Sequence, residues 1–229
     1  AVTGSSGAGT STVKRAFEHI FAREGITPAV VEGDSYHRYE RMPMKQAMAD
    51  ALSAGQNFSH FGPEANLFDK LAELFRTYGE TGAGQKRYYL HSPEEATEHN
   101  ARLGVNLEPG QFTPWEDIPS GTDVLFYEGL HGGVQGEGYD VAGLADLLVG
   151  VVPITNLEWI QKIHRDNAER GYSAEAIVDT ILRRMPDYIN HICPQFSQTD
   201  INFQRVPTID TSNPFICRNI PTPDESFVI

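Results

Sequence analysis

The stretch VTGSSGAGTST at positions 2–12 constrains this chain more than any other. A short apolar lead runs into Gly4, the spacing Gly4-x4-Gly9 follows, and a helix starts at about residue 10. Glycines at 4, 7 and 9 let the backbone turn tightly, so that several N–H groups of residues 4–12 converge on one anion. The positive end of the next helix adds to the attraction. Strand, glycine loop and helix in this order belong to an open α/β sheet. The loop departs from its usual form at one place. Thr10 and Ser11 stand where Lys and then Ser or Thr are expected. Ser11 still holds the position whose hydroxyl meets Mg²⁺ in such loops. Taken alone, the segment also reads as a flexible Gly/Ser turn, and the missing lysine calls for a cation from elsewhere.

The rest of the chain alternates strands with helices. Val13, Ala16, Phe17, Ile20 and Phe21 recur at helical spacing over 13–24, with Gly25 as a stop. TPAVVEGD (27–34) and DVLFYEG (123–129) read as buried parallel strands, and LADLLVGVVP (144–153) contains another. NLFDKLAELFRTYG (66–79), 156–171 and 173–192 read as helices. In the last, Ile177, Val178, Ile181, Leu182, Met185, Tyr188, Ile189 and Ile192 form one stripe. Pro186 interrupts it, so a kink or two helices are expected. Residues 80–121 read as loops with an antiparallel hairpin. The fold class is α/β: a mainly parallel central sheet flanked by helices, with some antiparallel edge strands.

Charge and composition exclude several functions. Lys and Arg number 18 against 31 Asp and Glu, a formal net charge of −13, which argues against a nucleic-acid partner. No run approaches the ~18 apolar residues of a membrane span, and no signal peptide opens the chain. The two cysteines, Cys193 and Cys217, form no disulfide framework and fit a reducing cytoplasm. Only three residues precede Gly4, and a strand begins at Ser226 just before the last residue. The chain is therefore expected to be a single domain over 1–229, without the start of its first strand and a C-terminal segment.

Three stretches carry charge where ligands bind. In EGDSYHRYERMPMK (32–45), Asp34 ends the second strand and His37, Arg38, Arg41 and Lys45 follow. A carboxylate beside several cations reads as a base next to an anionic group, or as a solvated charged loop. Pro43 makes a continuous helix here doubtful. Glu128 ends an apolar strand, the place where phosphoryl-transfer enzymes hold a metal. The alternative is an acid that simply marks the strand end, with His131 two residues beyond its glycine as a local hydrogen-bonding residue. Lys162 and Arg165 share a face of one helix, with Asp166 and Arg170 nearby. Anion binding and salt bridges within the helix both account for them, and Arg183 and Arg184 raise the same question.

Taken together, GSSGAGTSTVK, EGDSYHR, FSHF, YGETG, FYEGLHG, LEWIQKIHRD, RGY, ILRRM and PQFSQTDINFQRVPTIDTSNPF resemble, in that order, the bacterial class of phosphoribulokinases. The resemblance covers essentially the whole chain, and Thr10 is itself a feature of that class. It implies a nucleoside-monophosphate-kinase-like P-loop kinase domain that uses ATP and Mg²⁺ to phosphorylate the C1 hydroxyl of D-ribulose 5-phosphate. The product is the bisphosphate acceptor of carbon fixation in the Calvin cycle. The nucleotide loop would be Gly4, Ser5, Ser6, Gly7, Ala8, Gly9, Thr10, Ser11 and Thr12. Asp34 resembles the base. Lys162 and Arg165 resemble the cations that stabilise the transferring group. His37, Arg41, Lys45, His91, His131 and Arg170 resemble sugar-phosphate contacts, and Ser11 with Glu128 the metal ligands. Lys162 is expected to replace the loop lysine. The class is an octamer activated by NADH, so a homo-oligomer is implied. Arg23 and Arg183 resemble part of its effector site. Its redox-regulated relatives carry a loop cysteine, but Ala8 stands there, so no thiol switch is expected at the loop. Two other readings compete: a uridine- or pantothenate-type P-loop kinase, against which the His37–Lys45 cations speak, and a non-catalytic nucleotide-sensing subunit.

Overall fold

The computed structural model describes every residue except Ser6, and every side chain except those of Ser6, Glu169 and Arg170. β1 (Val2–Gly4) runs through the glycine loop into α1 (Thr10–Glu24) and back to β2 (Pro28–Glu32). α2 (Arg41–Ser53) and α3 (Phe68–Thr81) follow. β3 (Gln85–Lys86) and β4 (Glu116–Asp117) pair antiparallel around α4 (Pro93–Leu103). β5 (Val124–Gly129) precedes the ribbon of β6 (Gln135–Gly136) and β7 (Tyr139–Asp140), and then β8 (Val149–Val151). α5 (Thr155–Arg170), α6 (Ala174–Asp187) and β9 (Ile201–Phe203) come next. A last ribbon joins β10 (Arg205–Pro207) to β11 (Ser226–Val228).

Five strands form one parallel sheet in the order β2-β5-β1-β8-β9. Among the described residues antiparallel pairing is found in the three ribbons and in two isolated bridges, His37 with Asn66 and Tyr89 with Phe112. The sheet is covered on both faces because successive strand residues point opposite ways. On β5, Phe126 meets Phe17 and Phe21 of α1, each at 5.4 Å between ring centroids. Its neighbour Tyr127 faces the other way and meets Phe75 of α3 at 5.8 Å. Buried Val2, Val149 and Val151 join the first side, and Val31, Leu71 and Val141 the second. α5 and α6 close a third, smaller core through Ile163, Ile177 and Ile181.

Four local expectations change. α2 is continuous from Arg41 although it contains Pro43. Pro43 is its third residue, in the first turn, where an N–H has no helical partner to lose. Residues 93–103 form α4 rather than loop, opened by the Ser92 hydroxyl accepting from the Glu95 N–H at 3.3 Å. The 173–192 segment is α-helical to Asp187 with Pro186 inside it, then forms a π-helical turn over Tyr188–Ile192. That turn accommodates the disturbance without splitting the element into two helices. Its stripe is also narrower than expected: Ile177, Ile181 and Ile192 are buried, whereas Leu182 and Ile189 are exposed.

Candidate active site

The glycine loop is pressed between two elements. A Cβ on Gly4 would sit 2.8 Å from Thr10 Cγ2 and 2.9 Å from the Val151 carbonyl, and one on Gly7 would sit 3.4 Å from the Glu158 carbonyl. Gly7 and Gly9 take φ values of 104° and 103°, which side chains rarely adopt. Gly9 caps α1 without a side-chain hydrogen bond, so no side chain competes for the first helical N–H groups. Beside the loop a cleft of about 680 Å³ opens at the carboxyl ends of β1, β2 and β5 and is walled by α5 and α6. Gly4, Ser5, Gly7, Thr10 and Ser11 line it. The Ala8 side chain packs into the core instead, and Thr12 is exposed.

Asp34 lies in a 3₁₀ turn, two residues beyond the end of β2. Two histidines bracket its carboxylate. His37 Nε2 is 3.3 Å from Oδ1, and His91 Nε2 is 3.5 Å from Oδ2. Desolvation opposes ionisation, but the His37 hydrogen bond and the nearby His charges outweigh it and hold the carboxyl below its ordinary range. Burial works against a charge on His37, yet the Asp34 hydrogen bond and charge raise its pKa. His131 sits behind His37, 2% exposed and outside the cleft lining, with its Nε2 unpartnered among the described residues. Burial, aided by the His37 charge, lowers it to about 3, so it is neutral.

Glu128 projects into the cleft from β5, in register with Glu32 of β2. Burial raises its pKa, opposed by a hydrogen bond from Thr10 and by the Lys14 charge. Thr10, at the position where the loop lysine is expected, thus donates to the strand-end acid. Lys14, one helical turn further, pairs with Glu32 at 2.8 Å and also lines the cleft. From the opposite wall Lys162 reaches Asp166 at 2.7 Å, and Arg165 holds the other oxygen of Asp166 at 2.9 and 3.0 Å. Both cations line the cleft, and Asp166 is held ionised by them against its burial.

The expected site residues therefore fall into groups. Asp34, His37, His91, Glu128, Lys162, Arg165 and the loop share one cleft. Arg41 is outside the lining but touches it, donating to the His91 carbonyl at 3.3 Å. Lys45 is exposed on α2 and does not line the cleft, so its position departs from the expected substrate contact. The expected Ser6 contact and the Arg170 side chain lie outside the described residues. Arg23 is exposed at the far end of α1 beside Glu24, and Arg183 faces Asp179 at 4.0 Å; neither lines the cleft. Sequence reasoning passed over Lys14, Glu32, His60, Glu158 and Asn66. It singled out Arg184 without a role, and that residue lines the cleft. Lys14 carried a signal, since i+4 from Thr10 puts it on the same helix face. Asn66 carried none.

Comparison with known proteins gives the family and the fold. The model of the phosphoribulokinase / uridine kinase family matches residues 1–212. The chain is 63% identical over 230 residues to the chromosomal phosphoribulokinase of Cupriavidus necator, covering 100% of this chain and 77% of that protein. It is 59% identical over 229 residues to the phosphoribulokinase of Nitrobacter vulgaris, with the same coverage of both. The solved structure of phosphoribulokinase from Rhodobacter spheroides superposes with a TM-score of 0.85 at 56% identity, covering 100% of this chain and 77% of that one. A D-glycerate 3-kinase from Cryptococcus neoformans, at 12% identity and a TM-score of 0.54, shares the fold alone. The family match over residues 1–212 and the identities above half place this chain in the phosphoribulokinase / uridine kinase family.

Proposed function

We propose that this chain transfers the γ-phosphoryl group of ATP to the C1 hydroxyl of D-ribulose 5-phosphate, giving ADP and ribulose 1,5-bisphosphate, a Calvin-cycle step. The observation that carries the reading is Asp34, an ionised carboxylate between two histidines on the sheet edge that also bears the glycine loop. An uncharged acceptor gives no reason for so many cations beside a base. High identity to named phosphoribulokinases supports the same substrate.

The residues fit the nucleotide and its metal. The first turn of α1 offers N–H groups without a side-chain cap, and Ser11 and Glu128 supply oxygen donors in the same cleft. Among the described residues no three His, Cys, Asp or Glu side chains gather as a metal cage. Mg²⁺ in kinases needs none, since one or two carboxylates and the phosphates hold it. Ser11 and Glu128 would hold Mg²⁺, which when bound neutralises charge between the β- and γ-phosphoryl groups.

Asp34 accepts the C1 hydroxyl proton as that oxygen attacks the γ-phosphoryl in line. His37 and His91 orient and ionise Asp34, and with Arg41 and Arg170 they receive the sugar phosphate. Lys162 and Arg165 face the loop across the cleft and spread the developing charge. Their pairing to Asp166 fixes their heads before substrate arrives. Arg23 and Arg183, exposed and outside the cleft, suit an effector site, and activation by NADH that Arg183→Gln abolishes tests that role. The two free cysteines support a reducing, cytoplasmic setting. Among the described residues no helix is long and apolar enough to cross a membrane.

ADP release measured with ribulose 5-phosphate, uridine, pantothenate or no acceptor tests the reading. Turnover with the sugar phosphate alone is expected. Turnover with uridine or pantothenate, or none with any acceptor, refutes it.

A further inference from the structure

Asn66 is 1% exposed, and three contacts fix its amide. Its Nδ2 donates to the carbonyl oxygens of His60 at 3.1 Å and Gly62 at 2.8 Å, which uses both amide hydrogens. Turned over, the amide would set its oxygen against two carbonyl oxygens, so chemistry determines its orientation. The remaining atom, Oδ1, lies 2.7 Å from His37 Nδ1. An amide oxygen only accepts, so Nδ1 carries a hydrogen. On the other side of the ring Nε2 lies 3.3 Å from the Asp34 carboxylate, also an acceptor. Both nitrogens therefore donate, and the resting ring is an imidazolium.

We infer that Asn66 is a positioning residue that fixes a proton on His37 Nδ1, leaving Nε2, the nitrogen against Asp34, as the only ring atom that exchanges its proton. The inference rests on the reading of Asp34 as the base. The other groups facing the ring make no hydrogen bond to either of its nitrogens among the described residues. His60 packs on it at 4.9 Å and His131 stands at 6.5 Å, both kept neutral by burial. Tyr89 meets it edge-on at 6.3 Å. His91 reaches the far oxygen of Asp34. Arg87 donates to the His37 backbone carbonyl at 2.7 Å, and its charge works against the imidazolium while Asp34 favours it.

The lock has a chemical consequence. In free histidine the neutral ring prefers its hydrogen on Nε2. Asn66 reverses that preference, so the cation stays aimed at the base and cannot be lost by a change of tautomer. A positive charge held there keeps Asp34 ionised and ready to accept the substrate proton.

The test is a titration of ¹⁵N-histidine-labelled protein upward from neutral pH without substrate, with the His37 signals identified by their loss in His37→Gln. The ring is expected to be doubly protonated at first and then to give up its Nε2 proton, leaving neutral Nδ1–H. A neutral Nε2–H form in the wild-type protein overturns the inference. Asn66→Leu is the kinetic arm. The acidic limb of kcat against pH is expected to move up by roughly one pH unit or more, because Asp34 loses its fixed counter-charge. A limb that keeps its position while the amplitude falls marks a purely structural role and also overturns it. The titration itself is read on the wild-type protein without substrate, so its outcome is separate from that of the proposed reaction.

Discussion

Gly33→Ala tests how the strand ends that carry Asp34 and Glu128 are held together. Gly33 precedes Asp34 and Gly129 follows Glu128, and the two glycines touch across β2 and β5. A methyl group on Gly33 would sit 2.9 Å from Gly129 Cα and 3.0 Å from Tyr127 Cζ, and closer still to the Tyr127 hydroxyl. Carbon contacts relax to about 3.5–4.0 Å, so the strand ends must part by roughly 0.6–1 Å or Tyr127 must retreat. Tyr127 cannot retreat. It is fully buried, meets Phe75 edge-on, and its hydroxyl accepts the His131 N–H at 3.2 Å. The displacement therefore falls on Asp34 and Glu128. A shift near 1 Å in reacting groups costs up to about 10²-fold in rate, and overpacking costs ~1–3 kcal/mol. The variant is expected to keep its fold, lose about 10- to 100-fold in kcat by coupled ADP release, and melt several degrees lower. Gly79→Ala on α3 is the control. Nothing lies within 4 Å of its added methyl, and alanine inside a helix stabilises by ~0.5–1 kcal/mol with activity unchanged. A Gly33→Ala protein with wild-type kcat and melting temperature refutes the argument.

Asp34→Asn is expected to bind both substrates and to lose roughly three orders of magnitude or more in kcat, the strong end for a missing general base; a lowered melting point with intact kcat would make Asp34 a turn cap only. Glu128→Gln is expected to fold normally, nearly abolish turnover at fixed Mg²⁺, and require more Mg²⁺ for what remains; an unchanged Mg²⁺ dependence removes Glu128 from the metal. Glu158, beside the loop, has its carboxyl pushed up to about 7, chiefly by burial, against a hydrogen bond from Tyr188 and the Lys162 charge. The folded state thus holds this proton more tightly than the unfolded chain, so its contribution is full below the ordinary carboxylate range and is lost as pH rises toward 7. Glu158→Gln, which cannot ionise, is expected to gain on the order of 3 kcal/mol near pH 8 and little near pH 4. Equal melting temperatures of variant and wild type at both pH values would show that burial of Glu158 carries no such cost.

Much of the fold was legible because its signals are local. β2 and β5 are continuous apolar runs, and α3 repeats its apolar residues so regularly that Leu71, Leu74, Phe75 and Tyr78 are all buried. α4 escaped because only Ala96 among its residues is buried, so it has no apolar stripe to read. Its evidence lay in its ends, Ser92-Pro93 with Glu95 at one and Gly104 at the other. Asp34 and Glu128 could be placed because strand ends of open sheets face ligands. The bracket of His37 and His91 could not, since His91 arrives from a distant connection with no periodicity. Asn66 was least legible of all. Its role depends on where two backbone carbonyls point, which no spacing of residue types encodes.

The strand order has a bearing on how the chain is made. β1 is the middle strand, and its partners are Glu128 and Gly129 on one side and Val149, Gly150 and Val151 on the other. Both lie more than a hundred residues downstream. At the ~5–20 residues per second of synthesis, β1 waits on the order of ten seconds before either neighbour leaves the ribosome. The glycine loop hangs from this unpaired strand throughout. The nucleotide pocket comes into being as a late, cooperative event after β5 and β8 dock. The face of α1 bearing Phe17 and Phe21 meanwhile lacks Phe126, Val149 and Val151, which makes this interval the one in which a chaperone has most to bind.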